Sequence, residues 1–133
     1  MKVVIDTNIL VSALINPYGI PAGILGMLLE DKIIPCYDAR VLFEYSEVLQ
    51  RPKFHFSKME TNALVDFIKE NGFLTIPCKY PHKIPDQGDA PFMEVALGSE
   101  AGFLITGNIA HFPKQIGKTK TVSPAQFIKK FYL

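Results

Sequence analysis

Four short segments carry side chains able to bind a hard cation or to hold a water: Asp6; Glu44 with Glu47; Asp86 with Asp89; and Asn108. Oxygen donors suit Mg²⁺ and Mn²⁺, which bind through a few carboxylates and keep several waters. Two such ions held close together activate a water and stabilise the leaving oxygen of a phosphodiester. Carboxylates crowded without a cation disfavour one another's ionised form, so a cluster needs a reason. Each residue also has a plainer use. Asp6 fits the N-cap of a helix beginning near Ile9, Asp89 fits the cap of one beginning at Ala90, and Asp86 fits the turn "PDQGD". Asn108, after Gly107, suits a turn at positive φ. Glu44 stands three residues after Val41 and four before Val48, so it flanks their apolar stripe, whereas Glu47 projects away. Glu44 is therefore the one expected to point inward.

The elements that must position these residues follow from periodicity. Short apolar runs at Val3 to Ile5, Ile33 to Cys36, Leu74 to Ile76, Phe103 to Thr106 and around Val122 read as strands. Between them, "ARVLFEYSEVLQRP" places Val41, Leu42, Tyr45, Val48 and Leu49 on one helical stripe ended by Pro52. "SKMETNALVDFIKENG" opens on Ser57 and Glu60 at capping-box spacing and stops at Gly72. "DAPFMEVALGSEAG" predicts a helix ending at Gly102, and "SPAQFIKKFYL" one capped by Ser123 with Pro124 at its first position. Strands alternating with helices imply a three-layer α/β/α sandwich with a central, mostly parallel sheet, one domain over 1–133. In such sheets ligands sit beyond the carboxyl ends of the strands, where Asp6 and the Thr106-Gly107-Asn108 stretch both fall.

Composition narrows the class. With 48% hydrophobic and 20% charged residues, 133 residues suffice for an ordinary core without disulfides or a structural metal. Cys36 and Cys78 share no metal or redox spacing and read as reduced, packed thiols, which points to a cytoplasmic protein. No uninterrupted apolar run reaches membrane-spanning length, so no membrane is expected as a partner. A net charge of +1 means that any polyanion must be met by a local basic patch. Arg51, Lys53, His55 and Lys58 form one, with Phe54 and Phe56 interleaved; Lys114, Lys118 and Lys120 form another, and His111 lies near it. The plainer reading leaves these charges solvated and the two rings packed between helices.

Taken together, these motifs resemble the PIN-domain nucleases, and specifically the toxins of toxin–antitoxin pairs. "VVIDTNILVSALI" is similar to the family's first strand and helix, and "LFEYSEVLQRPKF" to its glutamate helix. "DQGDAPFMEVALGSEAGFLITGN" is similar to its third acidic motif, strand and terminal polar motif, and "NIAHFP" to the ending of one bacterial branch. The resemblance implies Asp6, Glu44 and Asp89 as ligands of Mg²⁺ or Mn²⁺, with Asn108 in the catalytic set where many members carry a fourth aspartate. That substitution removes a negative charge and favours one ion over two; Asp86 is the residue placed to compensate. Thr7, Asn8 and Thr106 match supporting positions, and the two hydroxyls are suited to orienting a carboxylate or a water. The implied activity is hydrolysis of RNA by an activated water, with Arg51, Lys53, Lys58 and His111 as candidate substrate contacts. The implied partners are a cognate antitoxin and a second copy in a homodimer, for which an apolar face on "GIPAGILGMLL" would serve. A catalytically silent RNA- or antitoxin-binding module is the rival reading. A phosphotransferase of the haloacid-dehalogenase type would want a second carboxylate where Asn8 stands.

Overall fold

Val3, Val4 and Ile5 are β-branched and fully buried, so strand β1 (Lys2–Ile5) is covered on both faces, near the middle of a six-stranded sheet. The computed structural model describes residues 1–132; Leu133, the end of the predicted C-terminal helix and domain, lies outside the described residues. After β1 come α1 (Thr7–Ile15), α2 (Ile20–Leu29), β2 (Ile34–Tyr37), α3 (Ala39–Leu49), α4 (Lys58–Asn71) and β3 (Phe73–Leu74). Then follow α5 (Ala90–Ser99), β4 (Phe103–Ile105), the hairpin β5 (Gln115–Ile116) and β6 (Thr119–Val122), and α6 (Pro124–Phe131). Short 3-10 turns occupy Pro52–Phe54, Gln87–Asp89 and Ile109–His111.

The strand order is β3-β2-β1-β4-β6-β5, parallel throughout except for β5 against β6. The fold is the predicted mostly parallel α/β architecture. From β1 the chain steps outward through β2 to β3, then returns to β4 on the other side of β1. That reversal opens a crevice between the carboxyl ends of β1 and β4. Ile5 pairs with Ile105 in register, so Asp6 and Thr106 leave the sheet side by side. α5 packs across β1, β2 and β4, while α1 packs on α2 and α3, and α2 on α6.

Several boundaries differ from the sequence expectation, each for a local reason. α1 begins at Thr7 rather than near Ile9, because Asp6 already carries the first helical carbonyl, accepting from Ile9 N–H at 3.0 Å. α5 ends at Ser99, three residues before Gly102, with Glu100 itself in the left-handed conformation at φ 55°. Its neighbour Gly98 is demanded by contact: a Cβ there would stand 2.1 Å from the Ile76 carbonyl oxygen. β3 is Phe73–Leu74, earlier than the predicted run, and Ile76 is exposed. Ser57 caps α4 by accepting from Glu60 N–H at 3.4 Å without the reciprocal glutamate bond; the full box is made by Ser123 and Gln126. Cys36 is buried as expected, but Cys78 is exposed. α2 buries Ile24, Met27 and Leu28 and leaves Ile20 and Leu29 exposed. Among the described residues no single helix is long and apolar enough to cross a membrane; α1 and α2 together reach the length but meet at 106°.

Candidate active site

At the β1/β4 crevice lies a cleft of about 330 Å³ that gathers every acidic segment picked out by sequence. Asp6 enters from the end of β1, Thr7 and Asn8 from the first turn of α1, and Glu44 from α3. Asp86 and Asp89 enter from the 3-10 turn before α5, and Asn108 and His111 from the turn after β4.

Asp6 occupies the N-cap position of α1 yet makes no capping bond. The residue is only 9% exposed, and its carboxylate instead accepts from the Thr106 hydroxyl at 2.7 Å. Thr106 is fully buried, and its Oγ1 in turn accepts from the Asn108 backbone N–H at 3.0 Å. The Thr7 hydroxyl donates to Glu44 Oε2 across the α1–α3 interface. Beneath them the fully buried Tyr45 donates to the Ile5 carbonyl, tying α3 to the last residue of β1. Two acids are thus each held by a threonine from a different element. Asp89 is held by nothing: it makes no capping bond, and its Oδ2 is buried without a hydrogen-bond partner. Asp86 is committed to its turn, accepting from Gly88 N–H at 2.8 Å, while still lining the cleft. Asn108 has φ −135°, so the expected positive φ is not adopted, and its side chain is free to face the cleft.

Burial pushes the carboxyls of Asp6, Glu44 and Asp89 all above their ordinary values. The Thr106 hydroxyl and the amides of Thr7 and Asn8 draw Asp6 back down, as the Thr7 hydroxyl does for Glu44. Asp6 raises Glu44, and Asp86, Asp6 and Glu44 all raise Asp89, so the acids burden one another as well as being desolvated. Burial, then Asp6 and Glu44, keep the Tyr45 phenol neutral far above its usual range. An all-oxygen donor set, an unpartnered buried carboxylate oxygen and mutual repulsion are together what a hard divalent cation relieves. Among the described residues no three acids, histidines or cysteines already stand at the spacing of a closed cation cage. The donors fit such an ion in type while forming an open rim.

The PIN domain family matches residues 2–110. An uncharacterized protein of Methanocaldococcus jannaschii is 33% identical over 111 residues, covering 81% of this chain and 71% of that protein. The chain is a PIN-domain protein. PIN domains are generally nucleases that use divalent metals, and the matched span contains all four polar segments of the cleft.

The substrate contacts expected from sequence separate in this PIN domain. Arg51 and His111 line the cleft; Arg51 also pairs with Glu47 at 3.0 Å, which keeps Glu47 outside. Lys53 and Lys58 do not line it. Phe54 and Phe56 stack on each other at 5.4 Å between centroids and pack against the core, in keeping with the plainer reading of the two rings. Lys118 is paired with Glu100 at 2.9 Å. Sequence reasoning missed Tyr45, Phe92 and Phe112 as floor and wall of the site. Tyr45 follows Glu44 directly and sits on the apolar stripe, a pattern that signals burial and is silent about where the hydroxyl ends.

Proposed function

We propose that this PIN domain is an endoribonuclease dependent on Mg²⁺ or Mn²⁺, in which Asp6, Glu44 and Asp89 hold the cation. The observation that carries the reading is the buried, unpartnered Asp89 Oδ2 in the same cleft as two threonine-held acids. When bound, the ion supplies Lewis-acid activation of a water and stabilises charge building on the phosphodiester. Thr106 fixes the rotamer of Asp6, and Thr7 that of Glu44, so these donors need not reorganise during the reaction. Asn108 presents a neutral amide at the rim, suited to a water or a phosphate oxygen. Arg51 and His111 are placed to meet phosphate as it enters.

The sequence resemblance to toxins extends the proposal: the chain is the nuclease of a toxin–antitoxin pair, acts as a homodimer, and is silenced by a small antitoxin covering the cleft. Purified protein should cleave a panel of RNAs in Mn²⁺ and lose that cleavage in Asp6→Asn while keeping its melting transition. Full cleavage by Asp6→Asn sinks the assignment of Asp6. The open rim and the neutral Asn108 support a second reading, a PIN domain that binds RNA or an antitoxin without cleaving. Titration calorimetry separates the two, since the silent module takes up no cation at millimolar concentration.

A further inference from the structure

The family match ends at residue 110, and beyond it the chain builds a second groove of about 510 Å³ at the β5 edge of the sheet. Lys114 and Lys120 line it beside the β5–β6 hairpin, and Lys130 lines it from α6. All three are exposed, no acidic side chain lines the groove, and among the described residues none of the three is in an ion pair. The other basic groove, in front of α5, differs in holding an acid: Glu94 lines it and engages Arg40 at 2.8 Å. In a chain of net charge +1, three unneutralised lysines on one wall concentrate positive potential there.

The groove adjoins the acidic cleft. A single 3-10 turn divides them: Asn108 and His111 face the cleft, while Ile109 and Ala110 face the groove. A cleft of four carboxylates repels a polyanion, so affinity for one has to be supplied nearby. We propose that the Lys114–Lys120–Lys130 groove binds the phosphate backbone of a single-stranded RNA that crosses the Asn108–His111 turn into the acidic cleft. The inference rests on the nuclease reading above and names where its substrate is held. Lysines act here as point charges on phosphate, so the contact is indifferent to base sequence.

The test is binding, in the Asp6→Asn background with chelator present, of a fluorescein-labelled oligouridylate followed by anisotropy across a salt series. Replacing Lys114, Lys120 and Lys130 by Ala should flatten the slope of log K against log salt by about 2, at ~0.7 per phosphate contact on a single strand. At about 0.1 M salt that corresponds to affinity weaker by up to about a hundredfold, with single substitutions each giving about a third of the slope change. Replacing Lys32, Lys69 and Lys79 by Ala removes the same charge on exposed lysines that line neither the groove nor the cleft, and should leave most of the slope. Equal losses in the two triple variants, or an unchanged slope in the first, overturn the groove; the second result leaves it to an acidic protein segment. Cleavage by the wild type in Mn²⁺ is read separately. Cleavage with undiminished binding of the lysine variant refutes the groove alone, whereas groove-dependent binding without any cleavage refutes the nuclease reading and keeps the groove.

Discussion

Thr106→Val isolates the contact that orients Asp6. Valine matches threonine in shape and the site is fully buried, so packing is conserved and two hydrogen bonds are lost. The donor to the Asp6 carboxylate is charge-assisted, worth about 1.5–3 kcal/mol, while the exposed Asn108 can turn its N–H toward water and adds little. A total of about 2–3 kcal/mol is expected. At about 2.1 cal/mol/K of unfolding entropy per residue, a chain of 133 residues shifts by about 3.6 °C per kcal/mol, giving a fall in Tm of about 7–11 °C. The cost has a pH signature. Thr106 lowers the Asp6 pKa, so removing it raises that pKa further, and the penalty grows as pH rises through the titration of Asp6 and shrinks below it. Thermal melts of wild type, Asp6→Asn, Thr106→Val and the double variant, at neutral and acidic pH, read both features. In Asp6→Asn the acceptor is neutral and Thr106→Val should cost about 1 kcal/mol less. Thr106→Ser, which keeps the donor, should recover most of the loss. An equal cost in both backgrounds, or at both pH values, refutes the view that Thr106 acts through the Asp6 charge.

Further outcomes follow from the same site and its support. Asp6, Glu44 and Asp89 titrate above their unfolded values, so the folded chain binds more protons in that window and loses stability as pH rises through it. Glu94, lowered mainly by the Arg40 guanidinium, contributes the opposite sign below the ordinary carboxylate range. In chelator, Tm should therefore rise on acidifying toward the ordinary carboxylate range and fall beyond it; a flat profile contradicts the crowding argument. At neutral pH, Mn²⁺ at about a hundred times its Kd should add about 2.7 kcal/mol, and Asp6→Asn should abolish most of that shift in a calorimetric scan. Gly98→Ala should cost about 3 kcal/mol, since its Cβ meets the Ile76 carbonyl oxygen at 2.1 Å and Pro77 Cα at 3.0 Å. Gly23→Ala, with nothing within 4 Å, should instead stabilise α2 by about 0.5–1 kcal/mol; matching signs in denaturant melts would sink the contact argument.

What the sequence disclosed tracks how far each signal travels along the chain. Val3 to Ile5, the Val41–Tyr45–Leu49 stripe and the Ser123–Pro124 cap are local patterns, and each became the element expected. The β5–β6 hairpin is short, with Gly117 at φ 57° as its turn residue, and two residues of strand leave no periodicity to detect. The acidic segments were visible because a carboxylate beside buried apolar residues needs a partner or a purpose. Thr7 and Thr106 stood out as supporting hydroxyls only through the family resemblance, because Thr106 to Asp6 spans 100 residues and Thr7 to Glu44 spans 37, separations that no local spacing encodes. The basic segment around Lys53 shows the converse. Its charges adjoin in sequence, yet only Arg51 lines the cleft while Phe54 and Phe56 pack against the core, and Lys130 joins Lys114 and Lys120 only through the fold.

Asp89 concentrates the tension in this site. A carboxylate at the first turn of a helix normally accepts from backbone amides, which would satisfy Oδ2 and lower its pKa. Here the turn before α5 assigns that work to Asp86, whose side chain accepts from Gly88 N–H. Asp89 is left pointing into the cleft, raised by Asp86, Asp6 and Glu44. The pairing of a satisfied Asp86 with an unsatisfied Asp89 therefore separates turn formation from ligand binding within one four-residue stretch. Asp86→Asn keeps an oxygen acceptor for Gly88 and removes a charge that burdens Asp89. It should raise stability in chelator and leave the Mn²⁺-induced Tm shift in place, whereas Asp89→Asn should raise stability and lose the shift. If Asp86→Asn removes the shift and Asp89→Asn does not, the roles assigned to the two aspartates are reversed.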